Sequence, residues 1–346
     1  MSEALDPVRD PTAAQDRGTP AERAPRAGGG GRGVAMTLQR YGLVVLFALV
    51  LIGFSALLPE SFPTAANFRN ITASQSVLAI VTLAAIIPLI CGHFDLSIGA
   101  ELAISSIATA SLLSHGTPLW AASLAGIVLG AAIGLCNGLM VARLGVNALI
   151  TTLGVASILT GLTIKSTDGQ SIVTGIPESL TDFGSGAWFG LPHTLYVLAV
   201  VALGVWYLLE HTPVGRELHA VGANPIAARL VGIRVDRLVI VAFVTTGALV
   251  GFAGVLQVAR QGGGNPQIGV AFQLPVLSSA FLGATTIHPG RFTVPGTLLA
   301  VFFLATSVSG LALAGVDSWV EYVFNGAALI IAVVVSTVLG RRLSGT

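Results

Sequence analysis

Long apolar runs, separated only by short polar breaks, dominate the sequence. These runs lie at residues 41–58, 77–91, 96–113, 120–141, 148–164, 192–209, 238–259, 272–286, 293–313 and 320–339. Most approach or reach the roughly 17–25 residues that a helix needs to cross about 30 Å of hydrocarbon. Only 10% of the residues are charged, too few to cover a globular surface in water. The pattern predicts an all-α integral membrane protein of about ten transmembrane helices.

Two of the runs, at residues 77–91 and 272–286, are shorter than the others. A short span either tilts little or belongs to a broken or re-entrant helix that its neighbours shield from lipid. We therefore expect some short or broken helices in the bundle, and the sequence does not decide whether these two cross fully.

The basic residues give the bundle an orientation, because cytoplasmic loops of membrane proteins are enriched in Lys and Arg. With about ten spans and both termini in the cytoplasm, only Arg69, Lys165 and Arg260 fall outside. The basic residues that fall inside are Arg9, Arg17, Arg23, Arg26, Arg32, Arg40, Arg143, Arg216, Arg229, Arg234, Arg237, Arg291, Arg341 and Arg342. This asymmetry predicts cytoplasmic N- and C-termini.

The chain divides into a tail and a membrane domain. Residues 1–36 are rich in Pro, Gly, Ala and Arg and lack the apolar content for a core, so they predict a disordered cytoplasmic tail. The membrane domain covers residues 37–342. Its first apolar run begins too far along the chain for an ordinary cleaved signal peptide.

A polar cytoplasmic loop over residues 210–237 carries strong helix punctuation. Asn224 is a good N-cap, and Pro225 suits the first helical position, where its missing N–H costs nothing. Gly232 suits the left-handed position beyond a helix end. The loop therefore predicts a short helix over residues 226–231.

The predicted loop helix places Ile226 and Leu230 on one face, at a spacing of four residues. An exposed apolar patch on a polar loop favours contact with a partner protein. The alternative is an interfacial helix that lies on the bilayer surface.

The loop and three further motifs resemble the permease subunits of ABC importers for ribose, xylose, arabinose, galactose and similar monosaccharides. In the loop, the residues that match are Gly215, Ala220, Gly222, Asn224, Ala227, Ala228, Gly232 and Ile233. The other matches are Asp95-Leu96-Ser97-Ile98-Gly99, Asn137-Gly138-Leu139 with Thr152-Leu153-Gly154, and Gly251-Phe252-Ala253-Gly254. The resemblance runs from about residue 42 to residue 342, and the ordered set is more specific than any one motif.

Four positions depart from the pattern of this family. His93 and Phe94 stand where Gly and Ile are usual, Glu101 replaces an apolar residue, and Ala284 replaces a common Gly. These departures leave the exact substrate open, including another small polar solute such as an amino acid or a signalling molecule.

The resemblance implies a permease in the cytoplasmic membrane of a bacterium, paired with a second permease copy. It implies an extracytoplasmic sugar-binding protein and a cytoplasmic ABC ATPase as partners, with ATP and Mg²⁺ bound by the ATPase and no cofactor in this chain. We expect no nucleic-acid partner and no metal site. By the resemblance, the ATPase-coupling residues are Gly222, Asn224, Pro225, Ile226, Ala227, Arg229, Leu230 and Gly232.

The chain carries no ATPase motif of its own. A phosphate-binding loop needs Gly-x-x-x-x-Gly-Lys, and the only lysine, Lys165, has no glycine beside it. We therefore predict a transport subunit that is not an enzyme, driven by a partner or by an ion gradient.

A proton-driven secondary transporter is the alternative from another class. His93, Asp95 and Glu101 cluster at the start of the third span, and ionisable groups inside a membrane are functional candidates. Asp95 is equally a good N-cap for that span. Glu101 lies shallow enough in the span for partial contact with water.

Polar residues on several spans form a candidate substrate path, because a sugar needs hydrogen-bond partners. The path residues are Asp95, Ser97, Glu101, Asn137, Thr151 and Thr152. Each could instead form a hydrogen bond between helices or to its own backbone.

Glycines at four-residue spacing predict close helix packing, within the chain or across a dimer. They are Gly126, Gly130, Gly134 and Gly138 on the fourth span, and Gly247 and Gly251 on the seventh.

Overall fold

The computed structural model describes the backbone of residues 29–343 and the side chains of residues 41–335. The helices are α1 (Gly29–Leu57), α2 (Ala65–Ile90), α3 (Ile98–Ser114), α4 (Leu119–Ala142), α5 (Ala148–Thr167), α6 (Glu178–Ser185), α7 (His193–His211), α8 (Pro213–Ala223), α9 (Pro225–Leu230), α10 (Val235–Gln261), α11 (Ile268–Gly283), α12 (Val294–Leu313) and α13 (Trp319–Leu343). A two-stranded antiparallel hairpin, β1 (Ala187–Trp188) and β2 (Leu191–Pro192), joins α6 to α7.

Every predicted apolar run lies mostly within a helix, so the prediction of an all-helical membrane protein is confirmed. Among the described residues, six helices are long and apolar enough to cross a membrane. The shorter apolar helices are residues 41–57 of α1, α3, α11 and residues 319–335 of α13.

The second span is not short, which corrects the prediction for residues 77–91. Helix α2 has 26 residues and begins at Ala65, because Thr64 caps it by accepting a hydrogen bond from the backbone N–H of Asn67. Hydropathy missed these first turns because they carry polar residues, whereas the cap sets where the helix begins. Helix α11 is short, as predicted, with 16 residues.

The predicted disordered tail, residues 1–36, falls mostly on residues 1–28, which lie outside the described part of the chain. Helix α1 begins at Gly29, so residues 29–36 of the predicted tail lie in its first turns. The apolar part of the helix packs mainly on α12, through Leu43, Phe47 and Phe303.

Helices α3 and α11 run antiparallel and meet near their first residues. A Cβ atom on either Gly99 or Gly269 would overlap the backbone carbonyl oxygen of the other glycine. The irregular segment before α3, residues 92–97, packs beside α11, and the Gln273 side chain donates a hydrogen bond to the Leu96 carbonyl at 3.3 Å. Helix α3 therefore begins inside the bundle, where side chains satisfy the backbone.

Helices α4 and α10 form the closest helix pair of the core, and glycines make their contact possible. A Cβ on Gly130 would overlap the carbonyl oxygen of Gly247, and one on Gly247 would overlap that of Gly130. Gly134, Gly138 and Gly251 lie along the same contact within one chain, where Gly251 packs on the Gly126 carbonyl, while the Cα of Gly126 faces Thr109 on α3. The glycines predicted to pack helices thus lie where α4 meets α10 and α3, because only glycine lets two backbones approach so closely.

The two ends of the bundle carry different connections. Helix α6 and the hairpin cover the end where α10 finishes, and Gly184 packs on the backbone of Ala259. Helices α8 and α9 cover the other end, where Gly222 packs on the Ile90 carbonyl at the end of α2. The long loops of the sequence are thus ordered caps on the bundle.

Candidate functional site

Helix α9 begins and ends as the sequence predicted. The Asn224 side chain accepts hydrogen bonds at 3.0 Å from the backbone N–H groups of both Ile226 and Ala227. Pro225 occupies the first helical position, and Gly232 adopts a φ of +87° after the helix. These local contacts fix the helix ends independently of any partner, so α9 is a preformed element at the end of the bundle.

The outer surface of α9 is apolar and open. Ile226, Leu230 and Val231 are 71%, 84% and 77% exposed, whereas Ala228 is 4% exposed and packs into the core. The helix is thus anchored through one small side chain and displays larger apolar side chains away from the protein. Such a surface is typical of a docking site.

Arg229, one of the predicted coupling residues, has a partner within the chain. Its guanidinium donates a hydrogen bond to the Asp236 carboxylate at 2.8 Å, with both side chains largely exposed. An exposed pair of this kind contributes at most about 1 kcal/mol to stability. It connects α9 to the beginning of α10.

Sequence reasoning missed α8, although its signal was present. Thr212 accepts a hydrogen bond from the Gly215 N–H, and Pro213 takes the first helical position. This Thr-Pro pair is the same kind of start signal as Asn224-Pro225. Leu218 and Val221 are buried, so α8 holds α9 against the bundle.

The residues before α3 correct the prediction for Asp95. Helix α3 begins at Ile98 with Ser97 at the N-cap position, so Asp95 does not cap it. Instead, Asp95 Oδ1 accepts hydrogen bonds from the Ser97 backbone N–H at 2.9 Å and from the Ser97 hydroxyl at 2.5 Å. The carboxylate thus stabilises the turn that leads into the helix.

Ser97 is the centre of a buried polar cluster, formed by Asp95, Ser97, Glu101 and Asn137. Its hydroxyl oxygen lies 2.5 Å from Asp95 Oδ1, 3.0 Å from Glu101 Oε1 and 2.9 Å from Asn137 Nδ2. Asn137 Nδ2 also donates to Glu101 Oε1 at 3.2 Å. Because a hydroxyl has a single hydrogen, Ser97 donates to one carboxylate only, and Asn137 supplies Glu101.

The cluster is closed to solvent, which corrects the expectation that water reaches Glu101. Glu101, Ser97 and Asn137 are fully buried, and Asp95 is 3% exposed. Glu101 lies in the first turn of α3, and α3 begins inside the bundle, so counting residues from the predicted span end placed it too near the surface.

The two remaining path residues, Thr151 and Thr152, are also buried. Thr152 is fully buried, and its hydroxyl accepts a hydrogen bond from the Leu96 N–H at 3.0 Å. Thr151 is 6% exposed. The structure brings four of the six path residues into one cluster and uses Thr152 to hold the segment before α3.

Several oxygens of the cluster have no partner among the described residues. These are Asp95 Oδ2, Glu101 Oε2 and Asn137 Oδ1. In the same part of the chain, the His93 side chain forms no hydrogen bond with either carboxylate and packs 6.4 Å from the Phe243 ring. The described residues also hold no group of three His, Cys, Asp or Glu side chains that could bind a metal.

Comparisons with known proteins place this architecture in a family. Residues 67–333 match the family described as "Branched-chain amino acid transport system / permease component". No solved structure matches the chain.

Curated relatives match over nearly their whole length. The ribose import permease protein RbsC of Escherichia coli K12 is 33% identical over 307 residues, which cover 87% of this chain and 94% of the relative. The D-allose transport system permease protein AlsC of the same strain is 30% identical, covering 89% and 94%.

A relative from a different bacterium matches a still longer stretch. The L-arabinose ABC transporter permease protein AraH of Azospirillum brasilense is 30% identical over 335 residues, which cover 96% of each chain. The relatives to which this chain is similar are permeases for monosaccharides. This chain is therefore a multi-pass membrane protein that belongs to the branched-chain amino acid transport system permease family.

Proposed function

We propose that this chain is the transmembrane permease subunit of an ATP-driven importer of a monosaccharide. The observation that carries the proposal is the similarity to ribose, allose and arabinose permeases along nearly the whole chain. The preformed, apolar surface of α9 supports it, because an importer without its own ATPase motif needs a surface on which an ATPase can dock.

The proposed topology has ten spans with both termini in the cytoplasm of a bacterium. It rests on the asymmetric distribution of Lys and Arg. In this orientation α8 and α9 face the cytoplasm, while α6 and the hairpin face outward. The ATPase, which binds ATP and Mg²⁺, then docks on α9, and a sugar-binding protein delivers substrate at the α6 end.

In the assembled importer, closure of the ATPase dimer upon ATP binding displaces α9. The Arg229–Asp236 pair carries the displacement to α10, and the glycine contact carries it from α10 to α4. A second copy of the permease completes the pore. The six coupling residues that surround Ile226 and Leu230 shape and orient this docking surface.

A permease for branched-chain amino acids is the second candidate, since the family description names that class of substrate. The three relatives that match nearly the whole chain all carry monosaccharide names, which favours the sugar. For the proton-driven carrier, the two acids that motivated it are buried and closed to water. The ATP-driven sugar importer is therefore the preferred function.

The proposal is tested with proteoliposomes that contain the permease, its ATPase and its binding protein. Uptake of labelled D-ribose, D-allose or L-arabinose should require ATP on the ATPase side and persist when a protonophore is added. Labelled L-leucine serves as the competing substrate. Sugar uptake that stops with the protonophore and ignores ATP would overturn the proposal, and uptake of leucine alone would replace the substrate class.

A further inference from the structure

A polar cavity in the bundle is separate from the Ser97 cluster, since none of the four cluster residues lines it. Helices α2, α10, α11, α12 and α13 surround it, and it encloses about 290 Å³. This volume is at the small end of the range for ligand pockets, which suits a ligand of monosaccharide size. None of the residues of the predicted substrate path lines this cavity.

The deeper wall of the cavity presents unused hydrogen-bonding groups. Gln257 and Asn325 are each 5% exposed, and no described residue hydrogen-bonds to either side-chain amide. Ser279 is fully buried, and its hydroxyl also has no partner in the described part of the chain. Gln257 and Asn325 line the cavity and have no hydrogen-bond partner for their side-chain amides among the described residues, so both amides are free to bind a ligand there.

The backbone of α11 adds a further acceptor to the same wall. Pro275 lies inside the helix and has no N–H, so the carbonyl of Ala271, four residues earlier, loses its helical hydrogen bond. Ala271 and Pro275 both line the cavity. A proline at this point therefore leaves a carbonyl beside the cavity without its helical hydrogen bond.

Charged groups lie at the rim rather than in the depth. Arg260 is partly buried and donates a hydrogen bond to the Ser74 hydroxyl at 3.0 Å, and Glu321 is exposed. The deep groups are neutral amides and a hydroxyl, which hydrogen-bond to hydroxyls in either direction. Phe272 adds an apolar surface for the C–H face of a ring. A neutral, polyhydroxylated ligand fits this distribution better than a zwitterion, whose charges would need buried counterparts.

We propose that this cavity holds the monosaccharide during its passage through the permease, with the Gln257 and Asn325 amides hydrogen-bonding to its hydroxyl groups. The proposal rests on the proposed function as a sugar importer. In the proposed topology the cavity lies towards the outer face, at the end of α10 and the beginning of α13, where a binding protein releases its sugar. The Ser97 cluster then serves the fold rather than the substrate.

Substitution of the deep groups tests the site in the complete importer. Gln257→Leu and Asn325→Leu should each raise the KM for sugar uptake by about tenfold, because a buried hydrogen bond to the sugar is lost. Thr297→Val is the matched control, since Thr297 is also fully buried with an unpartnered hydroxyl but does not line the cavity. The control should keep the KM of the unmodified protein. Equal co-purification of the ATPase shows that each variant is folded.

A second measurement does not depend on the rate of transport. Asn325→Cys is placed in a background with Cys91→Ala and Cys136→Ala, and its reaction with a small methanethiosulfonate reagent is followed. The transported sugar, D-ribose, D-allose or L-arabinose, should slow this reaction.

These experiments distinguish failure of the cavity proposal from failure of the proposed function. An unchanged KM in both leucine variants, or a thiol that is unreactive or that the sugar does not protect, overturns the cavity proposal while ATP-driven uptake by the unmodified complex still stands. Uptake by the unmodified complex that ignores ATP defeats the proposed function instead, and protection of the thiol by the sugar then still supports the cavity.

Discussion

The α9 surface and the Ser97 cluster are opposites in how they use apolar and polar side chains. Helix α9 holds Leu230 at 84% exposure, whereas α3 holds the charged side chain of Glu101 fully buried. Each arrangement is costly in isolation, because exposed apolar area and buried carboxylates both oppose folding. The two regions differ in which groups offset this unfavourable free energy.

In the Ser97 cluster, hydrogen bonds within the chain offset part of the cost, while Asp95 Oδ2 and Glu101 Oε2 have no partner among the described residues. Ser97 and Asn137 donate to the two carboxylates at distances of 2.5–3.2 Å. Around α9, no described residue covers Leu230 or Ile226, so the compensation has to come from another molecule. The comparison supports the proposal that α9 is the docking surface, and the enclosure of the Ser97 cluster favours a structural role for that cluster.

The largest expected effect comes from charging the α9 surface. Leu230→Asp should abolish co-purification of the ATPase and reduce ATP-driven uptake by about tenfold or more, because a central apolar contact is lost. Size-exclusion chromatography should show an unchanged permease, since Leu230 is 84% exposed and has little intramolecular packing to lose.

Val173→Asp is the control for Leu230→Asp. Val173 is 62% exposed and lies at the opposite end of the bundle. The Val173→Asp substitution therefore introduces the same negative charge at a site distant from α9. It should leave ATPase co-purification unchanged. Retention of the ATPase by the Leu230 variant would remove α9 as the docking element.

A smaller effect is expected from breaking the Ser97 cluster. Asn137→Leu removes the amide that donates to both Ser97 and Glu101, and should lower stability by about 2 kcal/mol in thermal denaturation. Cys136→Leu changes the neighbouring, exposed position on α4 and should have little effect. If the Asn137 variant is as stable as this control, the cluster does not hold α3 to α4.

The smallest effect is expected for Glu101→Gln. The amide keeps the shape of the side chain and an acceptor for Asn137, while it removes a charge that is costly to bury. Uptake should stay within about twofold of the unmodified protein, because Glu101 lies in a closed cluster. A large loss of uptake with normal stability would place the carboxylate on the substrate path and revive the ion-coupled hypothesis.

The sequence predicted features that depend on neighbouring residues. Asn224 and Pro225 predicted the beginning of α9, because capping involves atoms only two or three residues apart. The same reasoning applied to Thr212 and Pro213 would have found α8. Hydropathy located the apolar helices but misplaced the beginning of α2, which Thr64 decides through a cap in a polar stretch.

The position of Glu101 could not be predicted in this way. Its depth depends on the irregular segment before α3, which Thr152 and Gln273 hold inside the bundle from distant parts of the chain. Counting helical rise from an assumed span end treats that segment as helix and places the carboxylate near water.

The sequence by itself determined that this chain is a bundle of apolar helices with a capped, apolar helix in a polar loop, because hydropathy and capping are local properties. Only the tertiary structure decided that Glu101 is enclosed and that Gln257, Ser279 and Asn325 border one cavity. These three residues belong to α10, α11 and α13, and their amides and hydroxyl become neighbours through helix packing alone. Burial and convergence are properties of the packed bundle, since each depends on which helices meet and at what depth.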